Sequence, residues 1–156
     1  MKFVLLQVTS SKEKWCDEAC DLYAQKIKHF TPFEIAIIGS KKLNRAEAAA
    51  KVTLESKEIL SYLQPDDYVV LFDENGKNLK SQHFSQNIEK ILMSGKKRSV
   101  WIIGGAFGVS EELKNRAQLK ICLAPFVLNH QVAQVVALEQ IYRGFSILKG
   151  LPYHNA

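Results

Sequence analysis

A chain of 156 residues is long enough to bury one sizeable core and too short for two comfortable domains. Its 47% hydrophobic and 24% charged content is typical of a soluble globular protein, and no stretch approaches the roughly 20 apolar residues that cross a bilayer. The formal net charge of +5 is a mild bias toward a polyanionic partner and does not by itself indicate nucleic-acid binding.

The first residues and the cysteines bear on the cellular compartment. The apolar start, residues 3–8, is too short for a secretory signal and is followed at once by polar residues, so we expect neither a leader nor a membrane segment. Three cysteines without zinc-type spacing favour a reduced, cytoplasmic setting. Cys16 and Cys20 lie one helical turn apart, but no second ligand pair stands nearby. We therefore expect them to pack in the core and expect no metal site.

Strand patterns alternate with helix patterns five times along the chain. Short apolar runs bounded by turn residues predict strands at residues 2–8, 33–38, 68–72, 99–103 and 119–123. Helices are predicted from Ser10 or Ser11 to about His29, from Asn44 to before Pro65, around residues 84–92, from Ser110 to about Ala117, and at residues 130–148. This alternation predicts a single α/β domain over residues 1–156 with a largely parallel sheet.

The first and last helices differ in how much of their surface is apolar. The first presents one apolar face, formed by Trp15, Ala19, Leu22, Tyr23 and Ile27. The last has little polar face, which predicts burial on more than one side. A two-fold subunit interface would supply the second side, so we expect a homodimer.

Three predicted strand ends carry loops of unusual composition: Asp73–Lys77, Gly104–Gly108 and Ala124–Asn129. If the third, fourth and fifth strands are neighbours, these loops share one edge of the sheet and build one ligand pocket. The glycines of the second loop would let backbone approach a ligand closely, or would serve only a tight turn. The first strand is followed by Thr9 and Ser10 rather than by glycines, which argues against a Rossmann site, and no Walker motif is present.

Few polar groups stand near such a pocket. Asp73 and Glu74 either orient a ligand or are solvated loop acids, and His130 begins the last helix, where it either caps or meets a ligand. Glu139 and Arg143 have the spacing of a plain ion pair within a helix. Burial on both sides would nevertheless make Arg143 costly unless it faces an anion or a cleft.

The tail and two basic clusters are candidates for contact with nucleic acid. Tyr153 and His154 carry rings that can stack on splayed-out bases. The basic clusters are Lys41–Lys42 with Arg45, and Lys96–Arg98, both between predicted elements. Solvated surface is the plainer interpretation of each cluster.

Four motifs together resemble a known family. Residues 71–77 (LFDENGK), 103–108 (IGGAFG), 139–144 (EQIYRG) and 152–154 (PYH) resemble, in the same order and over the whole length, the ribosomal RNA large subunit methyltransferase H family of SPOUT methyltransferases. The resemblance implies a deep trefoil knot within about residues 68–148 and a homodimer. It further implies that S-adenosylmethionine is bound by Phe72, Gly104, Leu123, Ala124, Pro125, Phe126, Val127 and Leu128.

The resemblance also implies a reaction. Family members methylate N3 of a pseudouridine in the helix 69 loop of 23S ribosomal RNA on assembled ribosomes. On this basis Arg143 favours the N3 anion, while Tyr153 and His154 position the flipped base and shuttle its proton. The RNA surface would extend across the dimer and use the two basic clusters.

Departures from the family's pattern leave alternatives open. Positions where the family usually carries proline, arginine, serine and a basic residue hold Asn129, Gln134, Ala124 and Asn155. One alternative is a non-catalytic ribosome- or RNA-binding dimer that retains the fold. Another is a flavodoxin-like phosphate or nucleotide binder, which the polar residues after the first strand favour only weakly.

Overall fold

A computed structural model describes residues 1–9, 13–39 and 47–154 of the chain. The expected role of Ser10 or Ser11 as a helix cap, that of Asn44, and the cluster Lys41–Lys42 with Arg45 lie outside the described residues. The elements, in chain order, are β1 (Lys2–Thr9), α1 (Lys14–Lys28), β2 (Phe33–Gly39), α2 (Ala48–Tyr62), β3 (Tyr68–Asn78), α3 (Ser81–Leu92), β4 (Arg98–Ile103), α4 (Glu111–Arg116), β5 (Leu119–Cys122) and α5 (His130–Leu148). The α/β class and the bounds of α5 are confirmed.

The five strands form one sheet in the order β2-β1-β4-β3-β5, and every pairing among the described strands is parallel. Helices α1, α3 and α5 cover one face, and α2 and α4 cover the other. Because helices lie on both faces, the central strands are buried on both sides, which explains the nearly continuous apolar runs of β1 and β4. The trefoil knot expected within about residues 68–148 stays a prediction.

The third strand is longer than its sequence pattern predicts. Residues 73–77 were expected to form a strand-to-helix loop, but β3 continues to Asn78. Its pairing with β5 shifts register between Phe72 and Lys77, so that both of these residues face Ile121. The Asp-Glu-Asn-Gly stretch between them is a bulge rather than the end of the strand. This bulge places Asp73 and Glu74 at the carboxyl edge of the sheet.

The inward face of α1 was predicted correctly only in part, since Ile27 is fully buried and Tyr23 packs against the core. Trp15 and Leu22 are about half exposed, at 51% and 55%, whereas Cys16 and Cys20 are buried against the core. The helix is thus rotated so that its two thiols face inward. Burial raises the pKa of the Cys20 thiol to about 12, which keeps it protonated and unreactive at neutral pH. The prediction that both cysteines pack in the core is confirmed.

The last helix is enclosed by its own subunit. α5 packs against both α1 and α3, and Ala137, Leu138 and Ile141 are fully buried. Its apolar circumference therefore needs no subunit interface to explain it, and the homodimer stays a prediction.

Candidate functional site

A cleft of about 550 Å³ opens at the carboxyl edge of the sheet. Parts of all three segments singled out by composition line it: residues 73–75, the glycine loop (residues 104–109, with Val109 added), and Ala124 with residues 126–128. They meet because β3 lies between β4 and β5, so the carboxyl ends of these strands are adjacent. The prediction that the three strand ends build one pocket is confirmed.

The glycine loop makes a tight turn at the mouth of the cleft. The Gly108 amide donates to the Gly105 carbonyl over 3.1 Å, and Gly108 has a φ of +84°, which favours glycine. Ser110 then caps α4, because its hydroxyl accepts from the Leu113 amide. The loop is consequently a defined turn between β4 and α4 that exposes backbone to the cleft.

Most residues expected to hold a donor reach this cleft. Its lining includes Phe72, Gly104, Leu123, Ala124, Phe126, Val127 and Leu128. Pro125, the remaining member of the expected set, does not line it. Phe126 and Val127 are 69% and 79% exposed at the rim. Asn129 stands where the family usually has proline. Its side-chain oxygen accepts from the Gln131 amide over 2.9 Å and caps α5, which fixes the end of the loop.

The charged lining of the cleft comprises Asp73, Glu74 and Lys114, and His130 adds a titratable ring. Asp73 accepts from the Asn75 amide over 2.9 Å, which fixes the bulge. Lys114 pairs with Glu111 at 3.4 Å. The two β3 carboxylates therefore give this part of the cleft an acidic wall suited to a cationic or hydroxyl-bearing ligand.

His130 begins α5 at the inner side of the cleft. Burial lowers the pKa of His130, so the ring is neutral at pH 7. Its Nε2 is buried and has no hydrogen-bond partner among the described residues. Gln134, one turn further along, is also buried, and its Oε1 accepts from the Cys16 thiol at 3.4 Å. The glutamine thus joins α5 to α1 in the core rather than facing the cleft.

A second polar cluster forms where the tail docks against α5. Arg143 donates to Glu139 Oε1 through Nε at 3.0 Å and also through Nη2. The Tyr153 hydroxyl donates to the same Oε1 over 3.1 Å, and the Arg143 guanidinium lies 4.7 Å from the centre of the Tyr153 ring. The predicted ion pair is confirmed, and the expected catalytic residues Arg143, Tyr153 and His154 are brought together.

The protonation states of this cluster follow from its contacts. The hydrogen bonds to Glu139 raise the pKa of Arg143, which stays a cation. Burial raises the pKa of Tyr153, so its phenol keeps its proton at neutral pH and acts as a donor. Arg143 Nη1 lies 3.3 Å from His154 Nδ1, and a guanidinium only donates. With Nδ1 as the acceptor of this contact, the N–H of the His154 ring is at Nε2.

Two α1 residues that the sequence did not point to complete this tail cluster. The Tyr23 side chain lies beside Tyr153, and Lys26 Nζ lies 5.5 Å and 5.3 Å from the ring centres of Tyr23 and Tyr142. Only the tertiary packing of α1 on α5 joins them to the tail. Their one sequence signal, a polar-tipped pair one turn apart, is too common to mark a site.

The tail cluster does not line the cleft of its own subunit. Ala133 is a cleft residue, and Arg143 lies ten residues further along α5, roughly 15 Å away along a helix that rises 1.5 Å per residue. None of Arg143, Tyr153 and His154 contributes to the cleft lining. The two sets of expected site residues are therefore separate within one chain.

The basic cluster at residues 96–98 lies at the opposite edge of the sheet. Arg98 begins β4 and donates to both carboxylate oxygens of Asp67, at 2.8 Å and 2.6 Å. Lys96 pairs with Asp66 at 2.7 Å. Arg98 is thus held in a structural ion pair at the amino edge, and the contribution of this cluster to an RNA surface that extends across a dimer stays a prediction.

The described residues contain neither a metal-binding group nor a membrane-spanning helix. Among residues 1–9, 13–39 and 47–154, no three or more His, Cys, Asp or Glu side chains are grouped so as to hold a metal ion. No helix within these ranges has the length and apolar character to cross a bilayer.

Comparison with known proteins finds similarity along the whole chain. A family model described as "Predicted SPOUT methyltransferase" matches residues 1–154. The chain is 52% identical to the ribosomal RNA large subunit methyltransferase H of Bdellovibrio bacteriovorus, with 99% of each chain covered. It is 38% identical to the protein of the same name from Christiangramia forsetii, covering 99% of this chain and 98% of the relative. It is 34% identical to that from Clostridium kluyveri, covering 99% and 100%.

Proposed function

The chain belongs to the SPOUT methyltransferase family, and from this premise we propose that it methylates large-subunit ribosomal RNA with S-adenosylmethionine as the methyl donor. The finer proposal is that the methyl group goes to N3 of a pseudouridine in the helix 69 loop of 23S RNA on assembled ribosomes. The observation that carries the proposal is the convergence of Phe72, the glycine loop and Leu123–Leu128 on one cleft.

The cleft suits such a donor in volume and chemistry. Its 550 Å³ lies within the range of small-molecule pockets, and its lining combines apolar side chains with polar groups. Phe72, Leu123 and Leu128 would enclose the adenine, whereas Asp73 and Glu74 would face the ribose hydroxyls or the positive charge of the donor. When bound, the donor supplies an electrophilic methyl on a sulfonium, which needs alignment with its acceptor more than it needs covalent help.

The tail cluster would prepare the acceptor. N3 of the base must pass its proton to solvent water before methylation, because Tyr153 and His154 act here as hydrogen-bond donors, and the Arg143 cation stabilises the anion that forms. Glu139 holds the guanidinium through two hydrogen bonds. His154 presents an Nε2–H that can donate to a carbonyl beside N3, and Tyr153 stacks over Arg143. In this arrangement Tyr153 and His154 position the base.

We further propose that the donor and acceptor groups meet across a homodimer. Arg143 lies roughly 15 Å from the cleft of its own chain, as the rise of α5 shows. Exposed apolar side chains are available for such an interface: Trp15 and Leu22 on α1, Val132 on α5, and Phe126 and Val127 at the cleft rim. Burying it against a second copy would bring the tail cluster of one subunit toward the cleft of the other.

The test is methyl transfer from labelled S-adenosylmethionine to ribosomes from a strain that lacks the modification, with free ribosomal RNA in parallel. We expect label at N3 of one pseudouridine, with ribosomes only. Donor binding without transfer to that base would refute the proposed acceptor. Absence of donor binding would refute the methyltransferase activity and favour a non-catalytic RNA-binding dimer.

A further inference from the structure

The glycine loop rests on one face of α2, a helix outside the cleft. Glu55, in the middle of α2, is only 3% exposed, and both of its carboxylate oxygens lie against the α-carbon of Gly105. A Cβ at position 105 would overlap Oε2 and come within 3.1 Å of Oε1. The carboxylate thus occupies the space that a side chain at position 105 would need.

Two neighbouring α2 residues hold the rest of the loop. The Ser56 hydroxyl accepts from the Ser110 amide over 2.8 Å, at the end of the loop where α4 begins. Lys51 Nζ lies 3.9 Å from Glu55 Oε1 and 5.5 Å from the centre of the Phe107 ring, which lines the cleft. One helix face therefore contacts the loop near its start, at its tip and at its end.

A charged pair in this position calls for a physical reason. Lys51 and Glu55 are 14% and 3% exposed, and burying an ion pair costs desolvation energy that its attraction seldom exceeds. Apolar side chains would pack α2 against the sheet as well or better. The Glu55 carboxylate is a compact group, and its ion pair with Lys51 holds it against the Gly105 backbone. The loop is therefore preorganised before a ligand binds.

We infer that Glu55 is a positioning residue of the donor site, which fixes the glycine loop in the conformation that binds S-adenosylmethionine. The identity of the ligand in this inference rests on the proposed function, whereas the role of Glu55 in fixing the loop conformation does not. Glu55 is absent from the cleft lining, so it acts through Gly105 and Phe107 rather than by touching the donor.

The experiment compares the full-length Glu55→Gln variant with Glu89→Gln, the same change at an exposed position of α3. Amide hydrogen exchange of residues 104–110 is measured without ligand, and S-adenosylmethionine binding is measured by calorimetry. We expect Glu55→Gln to speed exchange in these residues severalfold and to weaken donor binding about tenfold, equivalent to about 1.4 kcal/mol. Glu89→Gln should leave both unchanged.

A second pair of variants tests the contact itself. Gly105→Ala should weaken donor binding, because its methyl group displaces the carboxylate. In the double variant Gly105→Ala/Glu55→Ala the overlap is gone, so binding should be stronger than in Gly105→Ala alone. A double variant that binds more weakly than either single variant would overturn the proposed contact.

The outcomes separate this inference from the proposed function. Wild-type exchange and wild-type affinity in Glu55→Gln would overturn the inference while leaving the methyltransferase proposal intact. If the wild-type chain fails to bind S-adenosylmethionine, the proposed donor is refuted, and the exchange rates of residues 104–110 alone decide whether Glu55 positions the loop.

Discussion

The substitution Gly76→Ala tests how closely the bulge of β3 packs against β5. A Cβ at this position would stand 2.7 Å from both the carbonyl carbon and the amide nitrogen of Ile121, and 2.8 Å from the carbonyl carbon of Lys120. All three atoms belong to the β5 backbone, so no side-chain rotation can make room. Gly76→Ala must therefore push β3 and β5 apart.

The size of the effect follows from this geometry. A distance of 2.7 Å falls about 0.7 Å short of the 3.4 Å at which ordinary contact begins. Overpacking of a rigid site costs about 1–3 kcal/mol, and a backbone obstacle places Gly76→Ala near the upper end. For a chain of this length, a loss of about 3 kcal/mol lowers the melting temperature by roughly 6–12 °C.

The assay is urea and thermal unfolding of Gly76→Ala beside Gly39→Ala. An added Cβ at Gly39 meets no atom of the described residues within 4 Å, so this control should be as stable as the wild type or slightly more stable. Because Asp73–Asn75 line the cleft, Gly76→Ala should also weaken S-adenosylmethionine binding. A Gly76→Ala protein with wild-type stability and wild-type donor affinity would show that β3 and β5 do not pack as described.

Three further predictions concern the tail cluster, the amino edge and His130. Arg143→Ala should reduce the rate of single-turnover methylation of ribosomes by roughly 10²–10³-fold, because it removes a group that stabilises a developing anion. The affinity for the donor should be unchanged. An equal loss of rate and donor affinity would refute the role assigned to Arg143. Asp67→Ala removes the ion-pair partner of Arg98, a largely buried cation, and should lower the free energy of unfolding by roughly 3 kcal/mol in urea titrations. Asp66 is exposed, so Asp66→Ala should have the stability of the wild type. Burial depresses the folded-state pKa of His130, so the unfolded chain binds a proton there first and stability falls as pH drops below about 6.5 toward that lower pKa. His130→Gln should lessen this acid sensitivity when unfolding midpoints are compared at pH 7.5 and 5.5, and an identical pH dependence would count against a buried neutral ring.

Local pattern was enough to predict most of the fold. The apolar runs of β1 and β4 and the long apolar α5 are strong signals that tertiary contacts reinforce. The continuation of β3 was missed, because Asp-Glu-Asn-Gly has low strand propensity and forms a bulge, and only the flanking residues, up to Phe72 and from Lys77 on, pair with β5. The predicted face of α1 was wrong at Trp15 and Leu22, which are apolar yet exposed, while the smaller cysteines join Ile27 on the inward surface.

The candidate site was predictable where residues lie close in sequence. Strand-end loops on neighbouring strands and the i,i+4 spacing of Glu139 and Arg143 needed only the periodicity of strands and helices. The contact of Tyr23 with the tail joins residues 130 positions apart, and no local signal carries it. Likewise, Glu55 lies in a polar stretch of α2, a pattern that predicts a solvent-exposed position. It is buried only because α2 packs against the glycine loop.

The order of strands in the sheet has a consequence for how the protein comes to be active during synthesis. β5 and α5 are the last elements of the chain, yet β5 completes the edge beside β3, and α5 closes the inner side of the cleft with His130. Parallel pairings between distant segments also form slowly, because each requires a long loop to close. A nascent chain can therefore pair β1, β2 and β4 before it has any donor cleft, and binding of a methyl donor reports that β5 and the first turn of α5 have been made and have packed onto the sheet.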